Sequence, residues 1–360
     1  MAATLPRPLC AAPAMPVAIG RCRRYDYPHV KAVLGGLLDQ LGGIGSLVRG
    51  RTVTVKVNLT GNWNASVYTL SPVETVYTHP VVALATLNLL QEAGARRLIL
   101  CESLYSTADP RVTFQNCGYD VRSFESTVAG LLWEDTRHLG SGSSYRELPV
   151  PGGSIFSRLQ FNHRYVDTDV VVSVAKMKSH EIAGITLAMK NMFGATPSSL
   201  YSSSIQDENS TSARVDVLHE GAPSAAGGEV LPVPSRDRGV RVPNVIVDIL
   251  AARPVDLCIV DGIVTMHGGE GAWQGTRLGL AFPGLLLAGR NPVCTDAVGA
   301  AVMGYDPDAA DWTVPFYNGL NTLRLAAERG LGMHRLEKIE VRGLSVQAAR
   351  YDFQPTVKLR

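Results

Sequence analysis

No pair of cysteines in this 360-residue chain stands in C-x-x-C spacing. The six that are present, Cys10, Cys22, Cys101, Cys117, Cys258 and Cys294, are scattered. This chain alone therefore offers no ligand set for an iron–sulfur cluster or a zinc knuckle. Several of the six sit in apolar runs, as buried thiols do, which fits a reducing cytoplasm. No apolar run is long enough to cross a bilayer. The opening MAATLPRPLCAAPAMP is broken by prolines and lacks the charged-then-apolar order of an export signal, so residues 1–15 read as a flexible tail. Charge of one sign is also missing: a formal net charge of +2 gives no electrostatic reason to expect nucleic acid or an acidic membrane as a partner. There is no G-x-G-x-x-G after the early strands, no G-x-x-x-x-G-K-[ST] loop and no G-x-S-x-G elbow, so NAD, ATP and a serine triad have no support.

Lysine is scarce as well. Of 34 basic residues only seven are lysine: Lys31, Lys56, Lys176, Lys178, Lys190, Lys338 and Lys358. The chain writes its ordinary surface charge as arginine, yet four of the seven lysines lie inside apolar stretches. Lysine is a compact ammonium whose pKa falls on burial, whereas arginine stays charged, so this placement points to lysine chemistry at a site.

What is present is a globular α/β pattern, with 46% apolar and 18% charged residues. The central stretch is VVVSVAKMKSHEIAGITLAMKNMFGATP, residues 170–197. Its valines predict a strand buried on both faces. In the extended chain that follows, Lys176, Lys178 and His180 alternate and are expected to share one side. A helix over Ile182–Phe193 would bring Thr186 and Lys190, four apart, together with Asn191 beside them, and Gly194 is placed to end it.

Around this stretch, RTVTVKVN (residues 51–58) predicts a strand with Lys56 and Asn58 on one face at its C-terminal end. Leu59 to Tyr77 predicts a long loop containing Asn62, Trp63 and Asn64. His79 precedes Pro80 and a helix over 81–93, where it would stand at a positive helix end suited to anions. The strand RLILC delivers Glu102, and DLCIVD delivers Asp261. The glycine-rich HGGEGAWQG presents His267, Glu270 and Trp273. Turn signals in residues 140–165 predict a small antiparallel ribbon. Residues 198–238, rich in Ser, Ala and Gly, predict an insert or mobile lid outside the core.

The expected fold is α/β, with largely parallel sheet flanked by helices. A single two-lobed domain spans 16–345, with lobes of about 16–165 and 166–345, and 346–360 forms a C-terminal tail. Because ligands collect along one edge of a parallel sheet, Lys56, His79, Glu102, Lys178, His180, Lys190, Asp261 and Glu270 are expected in one cleft. There Lys178, His180, Lys190, Glu102 and Glu270 are the candidates for proton transfer. Lys56, Asn58, His79, Lys176, Thr186, Asn191, Asp261 and Trp273 are the candidates for substrate binding. Asp296, on a helix after Pro292, is a further acid for the same site. His79, His180, His267 and the acids also leave a divalent metal open, although no H-x-x-x-H pair is present.

The stretches VTVKVNLTG, YTHPVVALATLNLLQEAGARRLILCES, DVVVSVAKMKSHEIAGITLAMKNMFGATP, DLCIVDGIVTMHGGEGAWQGT and NPVCTDAVGAAVMGYDP together resemble the family called domain of unknown function 362. The resemblance covers roughly residues 16–345 and implies an α/β protein. Many relatives carry an acidic turn where this chain has Glu102, and a Gly-Pro pair where it has Glu270-Gly271-Ala272-Trp273. Some are joined to ferredoxin-like segments, which this chain lacks.

Three functions are compatible with the pattern. The first is an enzyme that binds a small carboxylate or phosphate with lysines and moves protons, as an isomerase, cyclase or lyase. The second is a metal- or redox-dependent enzyme with a separate electron carrier. The third is a non-catalytic binding protein for an anionic metabolite. An oligomer is compatible with any of them.

Overall fold

The valine-rich segments form the middle of one eight-stranded sheet. The computed structural model describes residues 14–59, 66–138, 144–202, 214–230, 235–274 and 277–359. In chain order its strands are β1 (Val17–Arg21), β2 (Thr52–Lys56), β3 (Arg97–Glu102) and β4 (Leu132–Asp135). The expected ribbon follows as β5 (Tyr145–Pro149) and β6 (Arg158–Asn162). β7 (Val170–Lys176) leads into a hairpin of β8 (Lys178–His180) and β9 (Gly184–Thr186). β10 (Leu257–Gly262), a hairpin of β11 (Thr265–His267) and β12 (Gly279–Ala281), β13 (Leu285–Gly289) and β14 (Val341–Gly343) complete the described set. The order across the main sheet is β14-β1-β13-β10-β7-β2-β3-β4. β13 runs antiparallel to β1 and β10, and the remaining neighbours are parallel. The fold is α/β, as the sequence predicts.

Two apolar clusters cover the two faces of this sheet. Helices Tyr27–Gln40 and Pro80–Glu92 pack on one, and helices Arg238–Ala252 and Pro292–Val302 on the other. Strands from both halves of the chain share the sheet, and β1 pairs with β13 and β14. The chain steps from β2 to β3 to β4, then returns so that β7 lies on the other side of β2. The order reverses between β2 and β7. In open parallel sheets, ligands gather outside the strand C-termini at such a reversal.

Register decides which lysine meets which acid. Lys56 is opposite Ser173 on β7 and Cys101 on β3, while Asp261 is opposite Lys176. Paired residues share a face, and side chains alternate with a period of two. Ser173 and Lys176 are three apart, so Lys56 and Lys176 leave opposite faces of the sheet.

The helix expected over Ile182–Phe193 is mostly absent. Gly184 takes a φ of +74° and reverses the chain into β9, leaving a helix only at Ala188–Asn191 and a 3-10 turn at Met192–Ala195. Thr186 therefore sits on a strand opposite Lys178, not on a helical face with Lys190. Gly194 falls inside the 3-10 turn instead of ending a helix. A Cβ added at Gly184 would stand 2.8 Å from the Pro315 carbonyl oxygen.

The insert also differs from its expectation. Tyr201, Val217 and Leu218 are fully buried, so its described parts pack into the core and do not merely overlie it. Small apolar residues hid this, because only three large ones are needed to anchor the segment. Residues 1–13 of the expected tail, Asn62, Trp63 and Asn64 of the loop, and residues 203–213 and 231–234 of the insert lie outside the described residues. The C-terminal tail is tied down: Phe353 is buried, Ser179 donates to the Gln354 carbonyl, and the Gln354 amide donates to His267 Nδ1.

Gly184→Ala is expected to lower stability by roughly 1–3 kcal/mol, through backbone strain and the carbonyl clash. Gly36→Ala, in the Tyr27–Gln40 helix with open space around it, is expected to be neutral or stabilising. Urea denaturation of the two variants checks the contrast, and equal loss in both would remove the hairpin's dependence on Gly184.

Candidate functional site

At the reversal between β2 and β7, the end of β2 carries Lys56 into a buried polar junction. Its ammonium donates to Glu102 Oε1 at 2.8 Å, to the Val57 carbonyl at 3.0 Å and to Asn191 Oδ1 at 3.2 Å. Both partners of the ion pair are almost fully buried. Glu102 also accepts from the Leu59 amide at 2.9 Å and the Ser103 amide at 2.7 Å. Each charge thus has the added hydrogen bonds that a buried pair needs to offset its desolvation. Asn191 completes the junction, donating to Ser173 Oγ at 2.9 Å and to the Lys56 carbonyl at 3.4 Å.

A cavity of about 480 Å³ opens beside this junction. Its walls include Lys56, Asn58, Glu102, His180, Lys190, Asn191, Glu270 and Trp273 from the expected set. Across it, Glu270 Oε2 meets His180 Nε2 at 2.6 Å. His180 Nδ1 accepts from the amides of Ile182 and Ala183, both at 3.1 Å. A nitrogen accepting two hydrogen bonds carries no proton, so His180 is the neutral tautomer that donates Nε2–H to Glu270. Burial holds the His180 pKa below its ordinary value. Burial alone would raise Glu270, but the hydrogen bond from His180 and the charges of Lys190 and Lys178 hold the carboxyl below its ordinary value.

The two remaining lysines differ from Lys56. Lys178 donates to the Glu270 carbonyl at 3.0 Å and lies just behind the cavity wall. Burial pulls it down to about 7, against the opposing effect of Glu270. Lys190 lines the cavity itself, with its ammonium 4.1 Å from the centroid of the Phe193 ring. Among the described residues no oxygen accepts from it. Burial lowers it to about 8, again against Glu270. Its attraction to the ring face replaces only part of the lost hydration.

His79, Lys176 and Asp261 do not reach this cavity. They form a second cluster on the opposite face of the sheet, as the register requires. Lys176 donates to Asp261 Oδ2 at 3.0 Å and to the Tyr25 hydroxyl at 2.9 Å, and Tyr25 donates to Asp261 Oδ1 at 3.0 Å. The amides of His79 and Ile263 donate to the same carboxylate. The His79 ring stacks on Tyr25 at 3.5 Å and caps its helix by accepting from the Val81 amide at 3.2 Å. Burial lowers its pKa to about 3. The anion at this helix end is the protein's own Asp261. The expected single cleft therefore holds Lys56, Glu102, His180, Lys190 and Glu270, with Lys178 behind its wall and His79 and Asp261 elsewhere.

Two other expected residues are placed apart from the cavity. Thr186 is buried outside it, its hydroxyl without a hydrogen-bond partner among the described residues. Asp296 accepts from the amides of Ala188 and Met189, both at 2.8 Å, and burial pushes it up to about 7. It holds the short helix that carries Lys190. Sequence reasoning missed Arg214, His219, Ser103, Tyr105 and Phe193, which also line the cavity. Arg214 is buried and donates to Ser103 Oγ and, at 2.5 Å, to the Thr196 carbonyl. An arginine in a chain that uses arginine everywhere gives no signal, whereas His219 beside Glu220 in a Ser/Ala/Gly stretch was a visible one. Among the described residues, no three His, Cys, Asp or Glu side chains group closely enough to hold a metal ion. Nor is any described helix long and apolar enough to cross a membrane.

The two lysine environments are expected to respond differently to truncation. Lys176→Met leaves Asp261 buried without its cation and should destabilise the fold by about 3–5 kcal/mol. Lys190→Met strands no partner and should shift the urea midpoint far less. A large and equal loss in both would mean that Lys190 is a structural member of the core.

Comparison with known proteins places this geometry in a family. A thylakoid-associated protein of Synechocystis sp. is 26% identical over 320 residues, which cover 88% of this chain and 80% of that protein. A crystal structure of a Thermotoga maritima protein shares 14% identity at a TM-score of 0.36, covering 69% of this chain and 52% of that one. This chain thus spans about half the length of that solved chain. The profile of Domain of unknown function (DUF362) matches residues 53–301, more than half of the chain, including β2, β3, β7, β10 and every residue of the cavity wall named above. The chain belongs to the DUF362 family.

Proposed function

We propose that this protein is an enzyme that binds a small carboxylate or phosphate in the cavity and performs proton-transfer chemistry of the isomerase, cyclase or lyase type. One observation carries the reading: the partly buried Lys190 lines the cavity with no acceptor for its ammonium among the described residues. A cation kept there without a partner is an incomplete ion pair, and an anionic ligand completes it. Among the described residues the wall supplies three cations, Lys56, Lys190 and Arg214, against two carboxylates, Glu102 and Glu270. Lys56 and Glu102 already neutralise one another, and the surplus positive charge favours an anion.

The proton-transfer part rests on the titration range of the two amines. Lys190 at about 8 and Lys178 at about 7 exchange protons near neutrality, which ordinary lysines do not. Lys190 would bind the anion and donate or accept the proton at the substrate. Glu270, kept ionised and oriented by His180, would stabilise the positive charge opposite it. Trp273, at the exposed side of the wall, would limit water entry. The action is on a small molecule in the cytoplasm, without nucleic acid or membrane. The five described cysteines, all buried and unpaired, support a reducing compartment.

Isothermal titration with inorganic phosphate and with small carboxylates tests the binding step. Lys190→Met is expected to weaken binding at least tenfold, since a hydrogen bond to a charged group contributes roughly 1.5–3 kcal/mol. Affinity should be full below about pH 8 and fall above it, as the ammonium loses its proton. Binding indifferent both to the substitution and to pH between 7 and 9 would overturn the reading. Turnover of a bound acid, followed by proton exchange from deuterated water, separates an enzyme from a binding protein.

A further inference from the structure

The hydrogen bonds around Asn191 fix more than its own position. The Lys56 carbonyl can only accept, so the Asn191 atom facing it is Nδ2. The Lys56 ammonium can only donate, so the atom facing that is Asn191 Oδ1. This orientation passes to the next amide. Asn58 faces Asn191 Oδ1 at 3.4 Å and must present its Nδ2 there. Its Oδ1 is left over as an acceptor. That oxygen is buried and has no hydrogen-bond partner among the described residues. Asn58 itself is 7% exposed and lines the same cavity as Lys190. An amide flip cannot relieve the oxygen, because it would turn Asn58 Oδ1 toward Asn191 Oδ1.

A buried carbonyl oxygen without a donor is costly, so a site that retains one is matched to a ligand that supplies the donor. The cation that reads the anionic group is close by. Asn58 contacts Asn191, whose chain neighbour is Lys190, and consecutive Cα atoms are about 3.8 Å apart. Both residues line the same cavity, so a molecule held there can meet both. An ammonium donor is disfavoured by the surplus positive charge of the described wall, and among neutral donors a hydroxyl is the smallest that a short acid carries. We infer that the ligand is a hydroxylated anion, a hydroxy acid whose hydroxyl donates to Asn58 Oδ1 while its acidic group pairs with Lys190. This rests on the anion-binding reading above and adds the specificity-determining role of Asn58, whose orientation is set by the Lys56–Asn191 relay.

Matched acids that differ only in the hydroxyl test it: malate against succinate, and 3-hydroxybutyrate against butyrate, each enantiomer separately, by isothermal titration on the full chain. In the wild-type protein a hydroxylated member should bind about tenfold more tightly than its deoxy partner, the worth of one satisfied buried acceptor. Asn58→Leu should bring that ratio close to one. The wild-type ratio decides alone should the variant fail to fold. Equal affinity within both pairs, a hydroxyl preference that survives Asn58→Leu, or no binding of any hydroxylated member would overturn the inference. Phosphate titration keeps the two proposals apart. Phosphate binding that depends on Lys190 without any hydroxyl preference sinks only the hydroxy-acid inference, whereas loss of all anion binding sinks both.

Discussion

An ammonium taken out of water must find an acceptor or give up its proton, and the site follows from how this chain meets that requirement. The fold buries three lysines almost completely, Lys56, Lys176 and Lys178, and a fourth, Lys190, in part. Lys56 takes Glu102, Lys176 takes Asp261 with Tyr25, and Lys178 takes the Glu270 carbonyl. Lys190 takes an aromatic ring. Lys56 and Lys176, at strand ends, have full carboxylates and several hydrogen bonds, whereas Lys190 has no oxygen acceptor among the described residues. That gradient separates the lysines that hold the fold from the one we propose for ligand binding.

The pleat of the sheet enforces the separation. Because Lys56 and Lys176 leave opposite faces, their acids cannot be exchanged, and two polar clusters form where one was expected. One is closed on all sides by Tyr25, the His79 and Ile263 amides and the helix end at Pro80. The other is left open toward the cavity by the turn after β9, which turns the chain from Thr186 back to Lys190. Asp296 ties that turn to the helix behind it. Glu270 arrives from a different loop, and among the described residues its carboxylate pairs with His180. The cavity is thus assembled from β2, β3, the Lys178–Ala195 segment, the insert and the Glu270 loop.

Much of this was legible in the residues. Runs such as VVVSV and RLILC identify buried parallel strands, and the scarcity of lysine singled out Lys56, Lys176, Lys178 and Lys190. What was not legible depends on pairing between distant segments. Whether Lys176 shares a face with Lys56 is set by the register of β7 against β2, which no local pattern encodes. Gly184 lies inside the segment expected to be helical, and its left-handed backbone beside the Pro315 carbonyl shows that it turns a hairpin. Arg214 had no distinguishing neighbours in sequence. His79 was correctly placed at a helix end, but the anion there belongs to the chain.

The central claim is that Lys190 is the cavity's unpaired cation. Nitrogen-15 and carbon-13 NMR of lysine-labelled protein, titrated from pH 6 to 11 with and without inorganic phosphate, tests it most directly. The account predicts a Lys190 resonance titrating near 8 that moves to higher pH when phosphate is added. A Lys190 resonance that titrates in the range of a free lysine and ignores phosphate would contradict it.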